Sequence, residues 1–549
     1  MWVGLLVLPL ILGGWGIVVR TRALSVAMIV ASAILWGGTL WLLMTSVKPV
    51  TWTFFELAGV NWQIGWLASP IAKWMALLTT LINLLAQGYA QGYLAGNPRQ
   101  GYFQSVLLAF TGAMLITVFG NTLLTEFVGW EWMGVGSYLL VGFFRESSTA
   151  RWAASKAMLI TRLGDVAFLW AVVAASLGHL NTIAEVNRQG GPLIAWALLI
   201  AVAFKSAQGP NASWLLDAMA GPTPASALIH AATMVAAGPY LLIRYDPLLG
   251  HVSGILPALA VIGGGTALLA GVGALGATEI KRVLAFSTVS QLGMMLLALG
   301  WGSPQTAWTL LVAHAIYKAL LFFVGGIASR RAHSGHMTDL AGQLTVFEQI
   351  GLLLVGLLAV AGLPPTGGFV AKADLLHVSD GSWAGTLVDW GLSFLGGAYA
   401  TRLLKALKGF RPTGETGPFA MLWPPTVLSG FAVGTYFWHP WVTLPPLLWE
   451  KTWPGLLAVL FGAGLGALWT RPMTLCSGVG WRYLWHLGNA AADMLLAAEQ
   501  GVSQALGLGV GIFRWLTRLV HRGGSGRSQR YVLLSGLGVI LWVLLVGHV

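Results

Sequence analysis

The sequence predicts an all-α polytopic membrane protein of about sixteen transmembrane helices, and three observations carry that expectation. Of 549 residues, 56% are hydrophobic and only 9% charged, with a mean hydropathy of +0.76, whereas soluble domains carry roughly 25% charged residues. Apolar stretches long enough to cross roughly 30 Å of hydrocarbon recur along the whole chain. The basic residues sit in the short connections between those stretches, so a net charge of +12 reflects membrane topology and not a nucleic-acid surface. The 28 Trp and 72 Gly suit the same solvent, since Trp collects at bilayer interfaces and Gly allows close helix contact.

The first stretch, 2–19, lacks the basic leading region and small-residue cleavage site of a signal peptide and is expected to be a retained helix. With 23–44 and 70–92 it forms an N-terminal group within 1–102. A second group, 103–243, holds spans at 103–120, 121–144, 153–179, 192–218 and 223–243. A third, 254–406, holds 254–274, 282–300, 305–327, 347–377 and 384–406. Spans at 418–437 and 453–470 lie in an additional region, 407–470, and 531–547 closes the chain within 531–549. Between the last two spans, 471–530 is expected to be an amphipathic cytoplasmic segment. In its 484–522 stretch Leu495, Leu496, Val502, Leu506, Val510, Phe513 and Leu516 recur at near-helical spacing, and the basic end, Arg514 to Arg530, suits anionic headgroups or a partner.

Connections after odd-numbered spans hold Arg20, Arg22, Arg99, Arg145, Arg151, Lys281, Arg282, Arg330, Arg331, Lys408 and Arg411, while those after even-numbered spans hold little beyond Lys48, Arg188, Arg244 and Lys451. The positive-inside rule therefore places both termini on the outer, periplasmic face of a bacterial inner membrane and 471–530 in the cytoplasm.

Two segments 155 positions apart share a pattern: Pro210 to Ala218 and Pro365 to Ala373 each run proline, small residues, aromatic and charge in register. Each lies in an apolar run broken by Pro and Gly, where freed backbone carbonyls can bind only protein or cavity water. Paired broken helices are a transporter signature and predict a five-helix unit used twice.

Charges inside the spans define the candidate site. One at a span centre costs about 2.5–3.5 kcal/mol on insertion scales, so each must be paired, neutralised or open to internal water. Glu131 lies mid-span with Glu126 five residues earlier, and Arg162 and Asp165 share one helix face. Lys205 precedes the first break and Lys372 follows the second, while His230, His314 and Lys318 occupy other spans. A lysine without a counter-charge in a low-dielectric interior can exchange its proton at working pH, and histidine is the natural intermediate station. Glu131, Lys205, His230, His314, Lys318 and Lys372 are thus the expected proton path, with Arg162, Asp165, Asp217 and Asp374 as supporting ion pairs. No Walker loop, dinucleotide glycine pattern or His-Glu-x-x-His zinc site occurs. Cys476 is the single cysteine, which excludes an intramolecular disulfide, and no cofactor, metal or catalytic residue is expected in the chain.

Several runs closely resemble the antiporter-like subunits of respiratory complex I. They are Gly129-Trp130-Glu131, Ser137 to Phe143, Thr161-Arg162-Leu163-Gly164-Asp165, Trp214 to Pro224, Ser226 to Val235, Ile280 to Thr288 and His314 to Phe322. The resemblance implies two inverted five-helix repeats, each with a half-channel, joined by a central polar axis. It also implies that a glutamate, Glu131, tunes the first lysine, Lys205. Two features depart from the family: Ala68 to Lys73 replace a usual Leu-Asp-Gly-Leu-Ser run, and Ala373 stands where an acid commonly follows the last lysine. The 484–522 stretch, about 60 Å at 1.5 Å per residue, is short for the family's lateral helix.

Those departures favour a relative that works outside the full respiratory complex, and a compact sixteen-helix chain of this kind is similar to DabB, the membrane subunit of two-subunit inorganic carbon transporters. That resemblance implies proton or Na+ flow energising CO2 or bicarbonate uptake by a soluble cytoplasmic, zinc-containing DabA-like partner. The alternatives are a proton-pumping subunit of complex I or of a membrane-bound hydrogenase, and a Mrp-type cation/proton antiporter subunit.

Overall fold

The computed structural model describes residues 2–18, 24–57, 59–379, 383–410, 418–437 and 448–468, all within the first of two units, 1–492 and 493–549. The expected cytoplasmic segment 471–530, the last helix 531–547 and Cys476 lie outside the described residues.

The described chain is helical almost throughout. The N-terminal group is α1 (Gly4–Val18), α2 (Leu24–Met44), a hairpin of β1 (Val50–Leu57) and β2 (Val60–Trp66), and α3 (Pro70–Tyr93). Next come α4 (Gln100–Phe119), α5 (Leu123–Val141), α6 (Ser148–Leu177), the short α7 (Ile183–Gln189), α8 (Pro192–Lys205), α9 (Ser213–Asp217), α10 (Thr223–Ala231), α11 (Ala237–Arg244) and α12 (Asp246–His251). The third group is α13 (Ile255–Gly276), α14 (Ile280–Gly300), α15 (Pro304–Ala332), a π-helical turn at Phe347–Leu354 running into α16 (Val355–Ala361), α17 (Gly367–Ser379) and α18 (Trp383–Ala406). Finally come α19 (Phe419–Phe437) and α20 (Leu448–Leu468).

Eight segments among the described residues are long and apolar enough to span a membrane, and three shorter apolar helices accompany them. Local chemistry sets their ends. Ser69, Thr122, Ser147 and Ser303 accept hydrogen bonds from first-turn amides, and Pro70, Pro192 and Pro304 start helices where no N–H is needed. The core lies at α14 and α15, each with 94% of its apolar window buried, against 28% for α2. Large side chains such as Val26, Ile34, Val261 and Phe461 stay exposed. On a helix bundle of this composition such side chains face lipid.

Helices hold together by close approach and by polar contacts, the forces available once lipid removes the hydrophobic drive between them. A Cβ on Gly293 would stand 2.6 Å from the Gly263 carbonyl, so α13 and α14 meet backbone to backbone. Between α2, α3 and α4 runs a ladder of neutral groups: Thr39 to Thr80 at 2.9 Å, Asn83 donating to Ser32 at 3.0 Å, and Gln87 donating to the Gln104 carbonyl at 2.9 Å. Ion pairs clamp opposite ends. At one, buried Glu126 takes Arg244 at 2.8 Å and the Tyr245 hydroxyl at 2.7 Å; at the other, Arg331 grips Glu348 through two nitrogens at 2.6 and 2.8 Å.

Two features were not anticipated. The hairpin is seated on the α4–α5 connection, where the Gly65 amide donates to Thr125 and the Thr122 hydroxyl to the Gln63 carbonyl. The expected continuous span 223–243 is interrupted between Ala231 and Ala237. There Pro239 lacks the amide that would continue the ladder to the Val235 carbonyl, and the Ser206 hydroxyl binds that carbonyl at 2.8 Å. The two expected breaks lie after Lys205 and between Ala361 and Gly367.

Candidate functional site

The site begins where α8 stops. Its final residue, Lys205, is fully enclosed; Ala207 and Gly209 then take positive φ, and Pro210 carries no amide. The carbonyls freed by this break are satisfied by side chains: Phe204 O by the Trp214 indole at 3.0 Å and Ser206 O by Gln208 at 2.9 Å. Lys205 Nζ donates to the Trp130 carbonyl at 3.0 Å and to Asp165 Oδ1 at 3.2 Å, and lies 4.9 Å from the centre of the Trp130 ring.

The Trp130 indole donates to the same Asp165 oxygen at 2.7 Å, locking the acid against the amine. Arg162 reaches Asp165 at 3.6 Å and also pairs with Glu131. The direct acid partner of Lys205 is therefore Asp165, and the expected contact of Glu131 with Lys205 is replaced by a connection through Arg162. The reason is helix geometry: Asp165, on α6, points inward and is 4% exposed, whereas the Glu131 and Arg162 side chains are 23% and 33% exposed.

Asp217 stands apart from this cluster. It takes Lys156 at 2.7 Å and Arg282 at 3.5 Å and so ties α9 to α6 and α14. The repeat comparison aligns it with Lys372, but the two make different contacts.

The second station is histidine. His230 sits one residue before the α10 break, enclosed against Phe322, and neither ring nitrogen has a hydrogen-bond partner among the described residues. Its carbonyl lies 3.0 Å from His314 Nε2. One turn along α15, Lys318 donates to Ser287 at 2.5 Å and to the Leu284 carbonyl at 3.4 Å, with no ion-pair partner among the described residues. Ser287 in turn donates to Tyr399 at 3.1 Å, Gln291 to Tyr399 at 3.5 Å, and Tyr317 to Gln291 at 2.9 Å. This hydroxyl and amide chain escaped sequence reasoning. Its one sequence signal is Ser287 and Gln291 four apart in an apolar span.

Lys372 closes the series. The break after α16 leaves the Val360 and Ala361 carbonyls without helical partners, and the amine takes them at 2.9 and 3.2 Å. A cation there also meets the negative end of the α16 dipole. Asp374 is half-buried beside Thr309 and forms no ion pair among the described residues, unlike the pairing expected of it. No group of three or more metal-ligating side chains is present among the described residues.

Residues 120–395 match the family model described as NADH:quinone oxidoreductase/Mrp antiporter, transmembrane. The chain is 34% identical over 443 residues to NAD(P)H-quinone oxidoreductase subunit 5 of the Paulinella chromatophora chromatophore, covering 70% of this chain and 66% of that protein. It is 37% identical over 366 residues to NADH-quinone oxidoreductase subunit L of Escherichia coli, covering 64% and 59%. To NADH-ubiquinone oxidoreductase chain 5 of Metridium senile it is 32% identical, covering 75% and 74%. Like the Escherichia coli subunit, relatives from Allomyces macrogynus and Neisseria meningitidis are matched over less than two thirds of their own length, 59% and 57%. Among solved structures, the Mrp complex from Dietzia shares the fold with a TM-score of 0.75 at 22% identity, over 100% of this chain and 63% of that one. An archaeal membrane-bound sulfane sulfur reductase does so with 0.71 at 18%, over 85% and 99%.

The geometry separates the two acids near Lys205 by their effect on stability. Asp165→Ala leaves a buried amine and an indole N–H without their acceptor and is expected to cost about 3–5 kcal/mol. Glu131→Ala, at a partly exposed pair, is expected to cost about 1 kcal/mol or less. Thermal unfolding of the detergent-solubilised protein checks this; equal shifts for the two variants would mean that Asp165 is not the principal partner.

Proposed function

The chain belongs to the NADH:quinone oxidoreductase/Mrp antiporter transmembrane family, and from that premise we propose that its buried lysines and histidines carry protons across the membrane on behalf of a larger complex. The observation that carries this reading is Lys318, a fully enclosed amine with no acid beside it among the described residues, seated on a serine hydroxyl that continues into Tyr399, Gln291 and Tyr317. A permanent cation there would be expensive. Hydroxyls and carbonyls can instead serve the amine in either protonation state.

The cluster around Lys205 supplies the switch. Arg162 is shared between Glu131 and Asp165. With Arg162 held by Glu131, Asp165 is free to stabilise the charged Lys205. With Arg162 drawn onto Asp165, Lys205 loses part of its counter-charge and its proton is released toward the histidines. Movement at the partly exposed Glu131–Arg162 pair, which a neighbouring subunit could drive, is thereby converted into proton release in the core.

The relatives are named as subunits L and 5 of NADH-quinone oxidoreductases, and the structural neighbours come from multi-subunit membrane assemblies. They favour a complex I-, Mrp- or hydrogenase-type membrane complex over inorganic carbon uptake with a DabA-like zinc partner, for which they offer no support. The end of the bundle carrying Arg99, Arg145, Lys281 and Arg330 is proposed to face the cytoplasm. A cysteine replacing Gly250 should then react with an impermeant reagent outside intact cells, and one replacing Lys408 should not; the reverse pattern would invert the topology.

The relay itself is tested with the complex recovered through a tagged chain and reconstituted into vesicles, where the subunits recovered alongside also identify the assembly. Lys205→Ala is expected to abolish ion flux with assembly intact. Lys205→Arg is expected to fail as well, because a guanidinium does not release its proton. Wild-type flux in either variant would reduce Lys205 to a structural residue at a helix break.

A further inference from the structure

One acid within the bundle plays no part in the path described so far. Asp389 lies on α18, six residues past Trp383, is 2% exposed, and neither of its carboxylate oxygens has a hydrogen-bond partner among the described residues. A carboxylate enclosed in this way is unfavourable unless a donor or a cation reaches it.

Its position on the helix shows what can reach it. Asp389, Ser393 and Gly396 are spaced four and three apart and form one stripe along α18, and Asp389 and Ser393 are buried within it. The far end of the stripe lies against Lys372: a Cβ on Gly396 would stand 2.8 Å from the lysine Nζ. At 1.5 Å per residue, Asp389 is then about 10 Å along α18 from the present position of the amine. Lys372 lies seven residues before the end of α17 and Asp389 six residues after the start of α18, so their backbones stand at similar heights in successive helices.

A helical side chain leans toward the helix N-terminus, which is where the amine now sits, on Val360 and Ala361. Swung the other way, the flexible stem points along α17 toward Ser379 and the acid. Ser379 lies beside the acid as the one hydroxyl of α17 that acts on it, and that hydroxyl is shared with the Leu376 carbonyl at 2.9 Å, which leaves the carboxylate without a cation in contact among the described residues. Asp374, on the same helix as Lys372, is placed beside Thr309. Lys372 is the cation whose charge acts on Asp389, and Asp389 the acid whose charge acts on Lys372.

We propose that Asp389 is a second docking position for the Lys372 amine, so that the lysine alternates between the Val360 and Ala361 carbonyls and this carboxylate and passes its proton there. The inference rests on the proton-path reading. In the transfer an N–H bond of the ammonium breaks and an O–H bond forms on Asp389, turning an ion pair into a neutral amine and a neutral acid. The acid then releases its proton to water and the amine returns to the carbonyls to be recharged.

The test uses the intact complex in vesicles with Asp389→Asn, Asp389→Glu and Lys372→Ala. Asp389→Asn is expected to lower proton flux by roughly 100-fold, and Asp389→Glu to restore most of it. Difference infrared spectra between resting and energised vesicles should show a carboxylic C=O band that disappears in Asp389→Asn and moves in Asp389→Glu. Lost flux in Lys372→Ala with wild-type flux in Asp389→Asn would overturn the Asp389 assignment alone, whereas wild-type flux in Lys372→Ala would overturn the proton-path reading beneath it. If Asp389→Asn fails to assemble, an unmoved band or collapsed flux in an assembled Asp389→Glu still refutes the proposal.

Discussion

Within a bilayer no water is at hand for a backbone carbonyl released from a helix or for a charged amine, and this protein answers each problem with the other. The break after α16 frees two carbonyls and Lys372 binds both; the break after α10 leaves Val235 O to Ser206 and places the His230 carbonyl beside His314. At α8 the order is reversed: Lys205 is the last helical residue and reaches across to a carbonyl of α5. Lys372 and His314 are thus anchored to main chain that a regular helix would have kept for itself, whereas Lys205 and Lys318 reach carbonyls within the unbroken helices α5 and α14. Filling in the helices at α10 and α16 would remove the positions that hold His314 and Lys372 along with the breaks.

This constraint explains what could be read from the sequence. An all-helical membrane fold follows from composition and apolar run lengths, and the family follows from motifs such as Thr161 to Asp165 and His314 to Phe322, now matched over residues 120–395. The breaks at Pro210 and at Pro365 were visible because proline and glycine mark them. The break after His230 was not, because its proline, Pro239, sits in the first turn of the following helix, where proline is harmless. The hairpin went unread although Val50 to Leu57 is rich in β-branched and aromatic residues. In so apolar a chain, six such residues among eight do not stand out as a strand.

The membership of the site was easier to read than its wiring. Lys205, His230, His314, Lys318 and Lys372 are conspicuous as ionisable groups in apolar runs, and the structure encloses all five. Which acid serves which amine depends on helix rotation, and a one-dimensional pattern does not contain it. Glu131 was the natural partner for Lys205 by motif, yet the inward face of α6 delivers Asp165 and leaves Glu131 to Arg162. Tyr399 and Gln291 are ordinary residues until α14 and α18 bring them to Ser287. Asp389 is more hidden still, since its significance lies in having no cation in contact with it among the described residues.

Protons are proposed to traverse this chain through an enclosed series of amines and imidazoles. The measurement that tests this most directly is ion movement in vesicles carrying the purified wild-type complex while its partner subunits turn over, with internal pH and labelled sodium followed together. A proton path predicts a pH change that tracks turnover and collapses with a protonophore. Turnover with no pH change, whether or not sodium moves, would contradict it.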